Sequence, residues 1–308
     1  MAVDALHRFR TGKGLQLSMT AEEALEGYLM VTPVVVGLLV FSLGAILASL
    51  YLGLTTWDLF GAPQFVGLAN YQKLLKDELF YKSVRNTAYY AAIVVPVGTV
   101  LALALAILMN QRIRGVNLFR TVFFLPSVCS EVAIAVIWVW LYAPEFGLFD
   151  MILRAAGIPA PRWLSSTKWA MPSVTIMAIW QGLGYNMVIF LAGLQGIPQE
   201  YYEAAAIDGA GRQQSFRHIT MPLLSPMTFF VIIMYTIGAF QVFASVFIMT
   251  MGGPYNATLT IAYYLYRSGF EWFKMGYASA LAYVLFFIIV SITLLQFRLQ
   301  RQWVYYES

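Results

Sequence analysis

Residues Asn86–Met109 read NTAYYAAIVVPVGTVLALALAILM, a run without Asp, Glu, Lys, Arg or His. A helix needs about 20 mostly apolar residues to cross a bilayer, and this run is long enough. Five other stretches are of the same kind: Tyr28–Leu54, Val122–Tyr142, Trp169–Leu194, Pro226–Met251 and Gly276–Phe297. None of the six contains Lys or Arg, and one contains a carboxylate, Glu131. The chain is 60% apolar and only 11% charged, where soluble domains carry about 25% charged residues. The sequence therefore predicts an all-α, polytopic membrane bundle of six transmembrane helices over residues 28–297. Pro33, Pro96, Pro126, Pro172 and Pro226 lie inside or near the spans, which suits packed helices whose neighbours satisfy freed backbone groups. Aromatic residues gather at span ends (Tyr51, Trp57, Trp138, Trp140, Tyr142, Trp163, Trp169, Trp303 and Tyr305). That is the interfacial belt expected of membrane helices.

Other classes are disfavoured. A net charge of +4 is too modest to suggest nucleic acid. His7, His218 and Cys129 leave little material for a metal site or a disulfide framework. Cys129 sits in an apolar run and reads as a buried thiol. Residues 1–27 mix Arg8, Arg10 and Lys13 with Glu22, Glu23 and Glu26 and have no apolar core. They read as a polar tail rather than a signal peptide. Residues 298–308 form a second tail.

Six spans place both termini on one side. Counting Lys and Arg gives ten on that side and nine on the other, so charge does not orient the chain. The densest basic segment, Gln111–Arg120 with Arg112, Arg114 and Arg120, leans toward the cytoplasm, and with it the termini. The connections 55–85, 143–168 and 252–275 then lie outside. The first ends in an amphipathic stretch, Asn70–Arg85. The last opens on Gly252-Gly253-Pro254, a stop signal after the fifth span. Asn256-Ala257-Thr258 fits a glycosylation sequon, a tripeptide common enough to arise by chance.

The connection between spans four and five, residues 196–224, is long without being turn-like. Pro198 suits a first helical position and Glu200 and Glu203 suit the first turns. Ala204, Ala205 and Ala206 are strong helix formers. Gly209 and Gly211 end that helix, and a second short helix from about Arg212 to Ile219 stops before Pro222. Two short helices joined by glycine make a protruding knob. The plainer alternative is an amphipathic helix resting at the membrane surface.

The order Glu203-Ala204-Ala205, Asp208-Gly209-Ala210, Phe216, Ile219, Pro222 and Leu223 resembles the "EAA" loop of ABC-importer permeases. Further stretches resemble the sugar-importer permeases of the maltose and glycerol-phosphate type: Phe65-Val-Gly-Leu-Ala-Asn-Tyr71, Phe119-Arg-Thr-Val-Phe-Phe-Leu-Pro126, Gly252-Gly-Pro254 with Thr258 and Tyr263, and Gly276-Tyr-Ala-Ser-Ala280. The resemblance implies a bacterial or archaeal cell (inner) membrane protein with cytoplasmic termini. It also implies partners: a second permease, most simply a different homologous chain, an extracytoplasmic solute-binding protein and a dimer of ATP-binding cassette subunits. Glu203, Ala204, Ala205, Asp208, Gly209, Ala210, Phe216, Ile219 and Pro222 would form the coupling helix and its flank, docked on the ATPase. The chain has no phosphate-binding Gly-x-x-x-x-Gly-Lys-Ser/Thr sequence. It is therefore expected to bind no cofactor and do no catalysis, ATP and Mg residing on the partner.

Polar groups within spans mark a pathway or hold the bundle together. The candidates are Glu131, Gln181, Tyr185, Asn186, Tyr235 and Gln241. The sugar-contacting positions of maltose-type permeases fall on Gln181, Gly182, Tyr185, Tyr235, Gly238, Ala239 and Val242. Gly182 and Tyr185 keep the family's residue types, whereas Gly238 replaces an aromatic and Ala239 and Val242 replace asparagines. With no Lys or Arg in any span, a neutral hydroxyl-rich solute fits better than an anion, whose desolvation would need offsetting charge. Glu131 near mid-span would cost about 2.5–3.5 kcal/mol if charged, which favours a protonated or hydrogen-bonded carboxyl within the bundle. A proton- or ion-coupled carrier is the competing reading, with one intramembrane ionisable residue and no clear repeat to support it. A membrane-embedded enzyme lacks a His, Cys or carboxylate cluster in the spans.

Overall fold

The computed structural model describes residues 19–111 and 114–305. Arg8, Arg10, Lys13 and His7 of the tail, and Arg112 of the basic loop, lie outside the described residues. The chain divides into two compact units, Met1–Tyr51 and Leu52–Ser308. Most of the described part of the first lies in helix α1 (Glu23–Gly53). It carries no charge after Glu26 and holds a π-helical turn at Leu38–Leu43.

Among the described residues, the regular structure of the second unit is helical apart from one two-residue ladder, β1 (Thr55–Thr56) antiparallel to β2 (Gln64–Phe65). Helix α2 (Ala69–Leu74) leads to α3 (Glu78–Met109). The 32 residues of α3 span about 48 Å at about 1.5 Å per residue, well beyond the roughly 30 Å hydrocarbon layer. The amphipathic stretch read before span two is thus partly the first turns of that span. Asp77 caps α3 by accepting from the Leu79 N–H at 2.9 Å. Helices α7 (Ala170–Gly196) and α13 (Met275–Gln300) also cross in one piece.

The third and fifth spans do not run as read from the sequence. Val122–Tyr142 is two helices, α4 (Val116–Val128) and α5 (Glu131–Leu141), bent by 101°. Pro126 removes one backbone donor near the end of α4, and Cys129 and Ser130 are extended. Cys129, on that corner, is exposed on this chain rather than buried. Pro226–Met251 likewise splits into α10 (Ser225–Phe240) and α11 (Ala244–Met249).

The connections read as external are packed structure. Residues 143–168 hold α6 (Leu148–Ala155). Trp138, Tyr142, Phe149 and Trp163 pack ring on ring, with Trp138 and Tyr142 only 6% and 3% exposed. These two belong to the core rather than to an exposed belt. Residues 252–275 hold α12 (Ile261–Tyr266) with a π-helical continuation to Glu271. Leu259 and Ile261 are fully buried there. Asn86 Nδ2 donates to the carbonyls of Asn256 and Leu259, and Thr87 Oγ1 accepts from the Ile261 N–H. Asn256 Oδ1 accepts from Arg267, so the sequon asparagine is engaged internally.

Close approaches rest on glycine. A Cβ at Gly184 of α7 would stand 2.0 Å from the Phe123 carbonyl oxygen of α4, and one at Gly276 would stand 1.9 Å from that of Thr55. Asn70 Nδ2 ties the same corner, donating to the carbonyls of Gly53 and Thr55 at 2.9 and 2.8 Å. Small residues serve membrane helices this way because packing must hold them where no water-exclusion force does.

Two outcomes follow. Gly184→Ala should push α4 off α7 and cost about 1–3 kcal/mol, read as a lowered unfolding midpoint in detergent. Gly238→Ala, whose Cβ would meet nothing within 4 Å, should change it little, and equal midpoints for the two would contradict the backbone contact. Asp77 supplies a pH test. Burial pushes its carboxyl up, but the hydroxyls of Tyr264 and Tyr277 and the N–H groups of Leu79 and Phe80 outweigh this and hold it below its usual value. A carboxylate depressed in the fold stabilises above about pH 4 and loses that contribution as pH falls through its lowered value. Unfolding midpoints taken across the acid range should therefore fall for the native chain and fall less steeply for Asp77→Asn.

Candidate functional site

The loop after α7 is a helical hairpin. Pro198 is the cap rather than the first residue of α8 (Gln199–Ile207). Glu203 and Ala204 are exposed and Ala205 is half-buried. The helix closes in a Schellman motif: the Ala210 N–H reaches the Ala205 carbonyl at 2.9 Å and the Gly209 N–H reaches that of Ala206 at 3.1 Å. Gly209 makes this possible at φ +82°, a region closed to most residues. Asp208 is the last helical cap residue and is exposed.

The return helix, α9 (Arg212–Leu223), does not stop before Pro222. It passes through a π-helical turn at Phe216–Thr220 and continues to Leu223, with Pro222 in the first turn after that widening, where a missing N–H is tolerated. It then bends 61° into α10. Ile219 and Pro222 are half-buried, and Phe216 remains 39% exposed. The Tyr202 hydroxyl pairs with Thr220 Oγ1 at 2.9 Å, locking α8 to α9. Between them lies a cleft of about 320 Å³ lined by Ala205, Asp208, Ala210, Gln214 and His218 among others. Ile207, which the sequence pattern did not single out, is 87% exposed at the tip.

A second constellation lies where α3, α7 and α10 meet. A pocket of about 240 Å³ is lined by Tyr90, Val94, Ala178, Tyr185, Asn186, Met234, Tyr235, Gly238 and Ala239. Tyr185, Asn186, Tyr235, Gly238 and Ala239 were singled out from the sequence. Tyr90 and Met234 were not, since both look like ordinary span residues. The Tyr235 ring fills a slot left by two glycines: Cβ atoms at Gly98 and Gly182 would meet it at 2.9 and 3.1 Å. Among the described residues its buried hydroxyl meets no partner at full hydrogen-bonding geometry, though the Asn186 side chain lies beside it, while Asn186 Nδ2 donates to the Gly182 carbonyl. Gln181 is half-buried one turn before Tyr185 and does not line the pocket. Val242 is buried.

Glu131 and Gln241 lie at the breaks. Gln241 caps the end of α10 and is exposed on this chain. Glu131 opens α5 rather than sitting in the middle of a span, and it too is exposed on this chain. Its Oε1 accepts the Ser245 N–H at 3.1 Å, which ties the two broken spans together. Glu131 also lies near enough to Tyr90 to interact with it electrostatically.

The family model for "Binding-protein-dependent transport system inner membrane component" matches residues 94–304. A probable ABC transporter permease protein, YesP of Bacillus subtilis, is 38% identical over 292 residues, covering 93% of this chain and 94% of its own. The sn-glycerol-3-phosphate transport system permease protein UgpA of Yersinia pestis is 34% identical over 282 residues, covering 91% and 95%. Among solved structures, a bacterial alginate ABC transporter in complex with an alginate pentasaccharide-bound periplasmic protein matches with a TM-score of 0.82 and 21% identity, over 94% of this chain and 98% of that one. That last likeness speaks to the fold. With the model match across most of its length and full-length relatives above 30% identity, this multi-pass membrane chain belongs to the binding-protein-dependent transport system inner membrane components, the permease subunits of ABC importers.

Proposed function

We propose that the chain moves a sugar or related neutral polyol, delivered by an extracytoplasmic solute-binding protein, along a path shared with a second, homologous permease. The α8–α9 hairpin docks on a cytoplasmic ATPase subunit, which carries ATP and Mg, and both termini lie on the same side as the hairpin. The chain itself catalyses nothing. The carrying observation is the hairpin's build. A capped, glycine-closed tip exposes Glu203, Ala204, Ile207 and Asp208, and it is braced by Tyr202–Thr220 to a helix that runs into a membrane span. Such a projection suits a partner's groove better than a flat lipid surface.

Family membership weighs against a proton- or ion-coupled carrier. The alginate transporter captured with its periplasmic protein supports delivery by a binding protein. On cargo, the relatives' names point to charged solutes, sn-glycerol-3-phosphate and alginate, whereas the 240 Å³ pocket presents tyrosines, an asparagine amide and no Lys or Arg. Burying an anion there would leave its charge unpaired. Aromatic faces and neutral donors suit hydroxyl-rich rings.

Proline cannot adopt φ +82° and cannot donate to the Ala206 carbonyl. Gly209→Pro should therefore leave membrane insertion and unfolding intact but cut binding-protein-stimulated ATPase activity at least about tenfold, and normal uptake in this variant would remove the docking assignment. Tyr185→Ala should raise the half-saturating solute concentration for uptake by about tenfold in proteoliposomes without changing basal ATP hydrolysis. Glu131→Gln keeps an acceptor for the Ser245 N–H. Unchanged uptake in that variant would assign Glu131 to the fold and not to the solute.

A further inference from the structure

A second hollow, of about 720 Å³, opens between the α2–α3 junction and the segment from Tyr264 to Lys274. Lys73, Lys76 and Lys274 line it together with Asp77, Tyr264 and Trp272. Among the described residues none of these lysines takes part in an ion pair. Lys73 Nζ sits 5.5 Å from the ring centre of Tyr277 and Lys274 Nζ 5.3 Å from that of Trp272, so two of the ammonium groups are steadied on aromatic faces. Asp77 lines the same hollow and offsets one of the three positive charges, leaving an excess of cationic side chains around it. Its carboxylate accepts from the hydroxyls of Tyr264 and Tyr277 and the Leu79 N–H. The other acids nearby are Glu78, exposed on α3, and Glu271, paired with Arg267. Three lysines against one carboxylate leave the hollow with net positive charge, and an anion seated among them relieves the remaining repulsion. Lysines act on phosphate and carboxylate as point charges with free donors. A neutral solute gains nothing from this arrangement.

We propose that this hollow binds an anionic group, a phosphate or carboxylate, carried by a lipid headgroup or by a free solute, with Lys73, Lys76 and Lys274 as its ligands and the Trp272 and Tyr264 rings beside its apolar portion. The site is separate from the tyrosine-lined pocket, and the proposal stands or falls independently of the importer's cargo. Trp272 reports occupancy. The full-length chain is placed in nanodiscs of phosphatidylcholine alone or doped with phosphatidylglycerol, and the first is titrated with inorganic phosphate against chloride at equal ionic strength. The expected result is a saturable fluorescence change with one of the two probes, absent in Trp272→Phe. Affinity should be weakened at least about tenfold in the Lys73→Gln, Lys76→Gln, Lys274→Gln triple variant. Lys76 has no ring contact to lose, so Lys76→Gln alone should weaken binding a few-fold with an unchanged unfolding midpoint. A response to phosphatidylglycerol assigns the group to lipid; a response to free phosphate assigns it to a solute. No saturable response to either probe, or equal affinity in the native chain and Lys76→Gln, overturns the proposal.

Discussion

Hydrocarbon offers the backbone no hydrogen-bond partner, so a membrane span can be interrupted only where protein takes up the freed groups. Two spans are interrupted here, and each helps to satisfy the other. At the break of the third, Glu131 is left at the head of a new helix with its carboxylate free to turn toward the fifth. There the Ser245 N–H, one of the donors that a helix start leaves without an intrahelical partner, is received by Glu131 Oε1. The Val242 carbonyl, released by the same break, accepts from Thr260 Oγ1. Thr260 belongs to a connection that α3 holds in place through Asn86 and Thr87. A carboxylate that looks costly in a continuous span thus becomes the cap of a discontinuous one.

The same chain of dependence explains stretches that in sequence are only strings. Phe65–Tyr71 and Gly276–Ala280 lie more than two hundred positions apart, yet they meet at one corner. Asn70 grips the carbonyls of Gly53 and Thr55 there, and Gly276 lets the last helix pass the Thr55 carbonyl without room for a side chain. Gly252 is likewise bare because a Cβ would strike the Tyr263 ring at 2.7 Å. These are contacts between chain segments, and residue identity alone carries no sign of them.

What could be read in advance was whatever depends on local pattern. Span number and placement follow from apolar length, and the hairpin follows from Ala204–Ala206, Gly209 and its flanks. The breaks were hidden for a physical reason. Gln241, Val242 and Phe243 include neither glycine nor proline, and Pro126 before Cys129 is a residue that packed continuous spans also tolerate, so the interruption is settled by the tertiary contacts of Ser245, Glu131 and Thr260. Pro222 misled in the opposite sense. It reads as a stop, but the π-helical turn before it loosens the ladder enough for the helix to continue. Tyr90 was invisible as a pocket residue because nothing in span two distinguishes it from Tyr89, which is exposed while Tyr90 is 4% exposed.

The geometry also bears on how a pull on the proposed docking tip would reach the solute. The tip is not a flexible loop: Tyr202–Thr220 joins its two helices, and α9 enters α10 through a corner where Leu224 is fully buried. Leu224 packs in the same cluster as Met187 and Phe190 of α7, and Ser225 Oγ at that corner accepts the Tyr305 N–H of the C-terminal segment. Displacing the hairpin therefore displaces the start of α10. Tyr235 lies less than three turns further along, its ring held between Gly98 and Gly182 with no slack for a Cβ on either. Tyr235 shares the pocket wall with Tyr185 and Asn186, so under the proposed docking a shift at the start of α10 would bear on that wall.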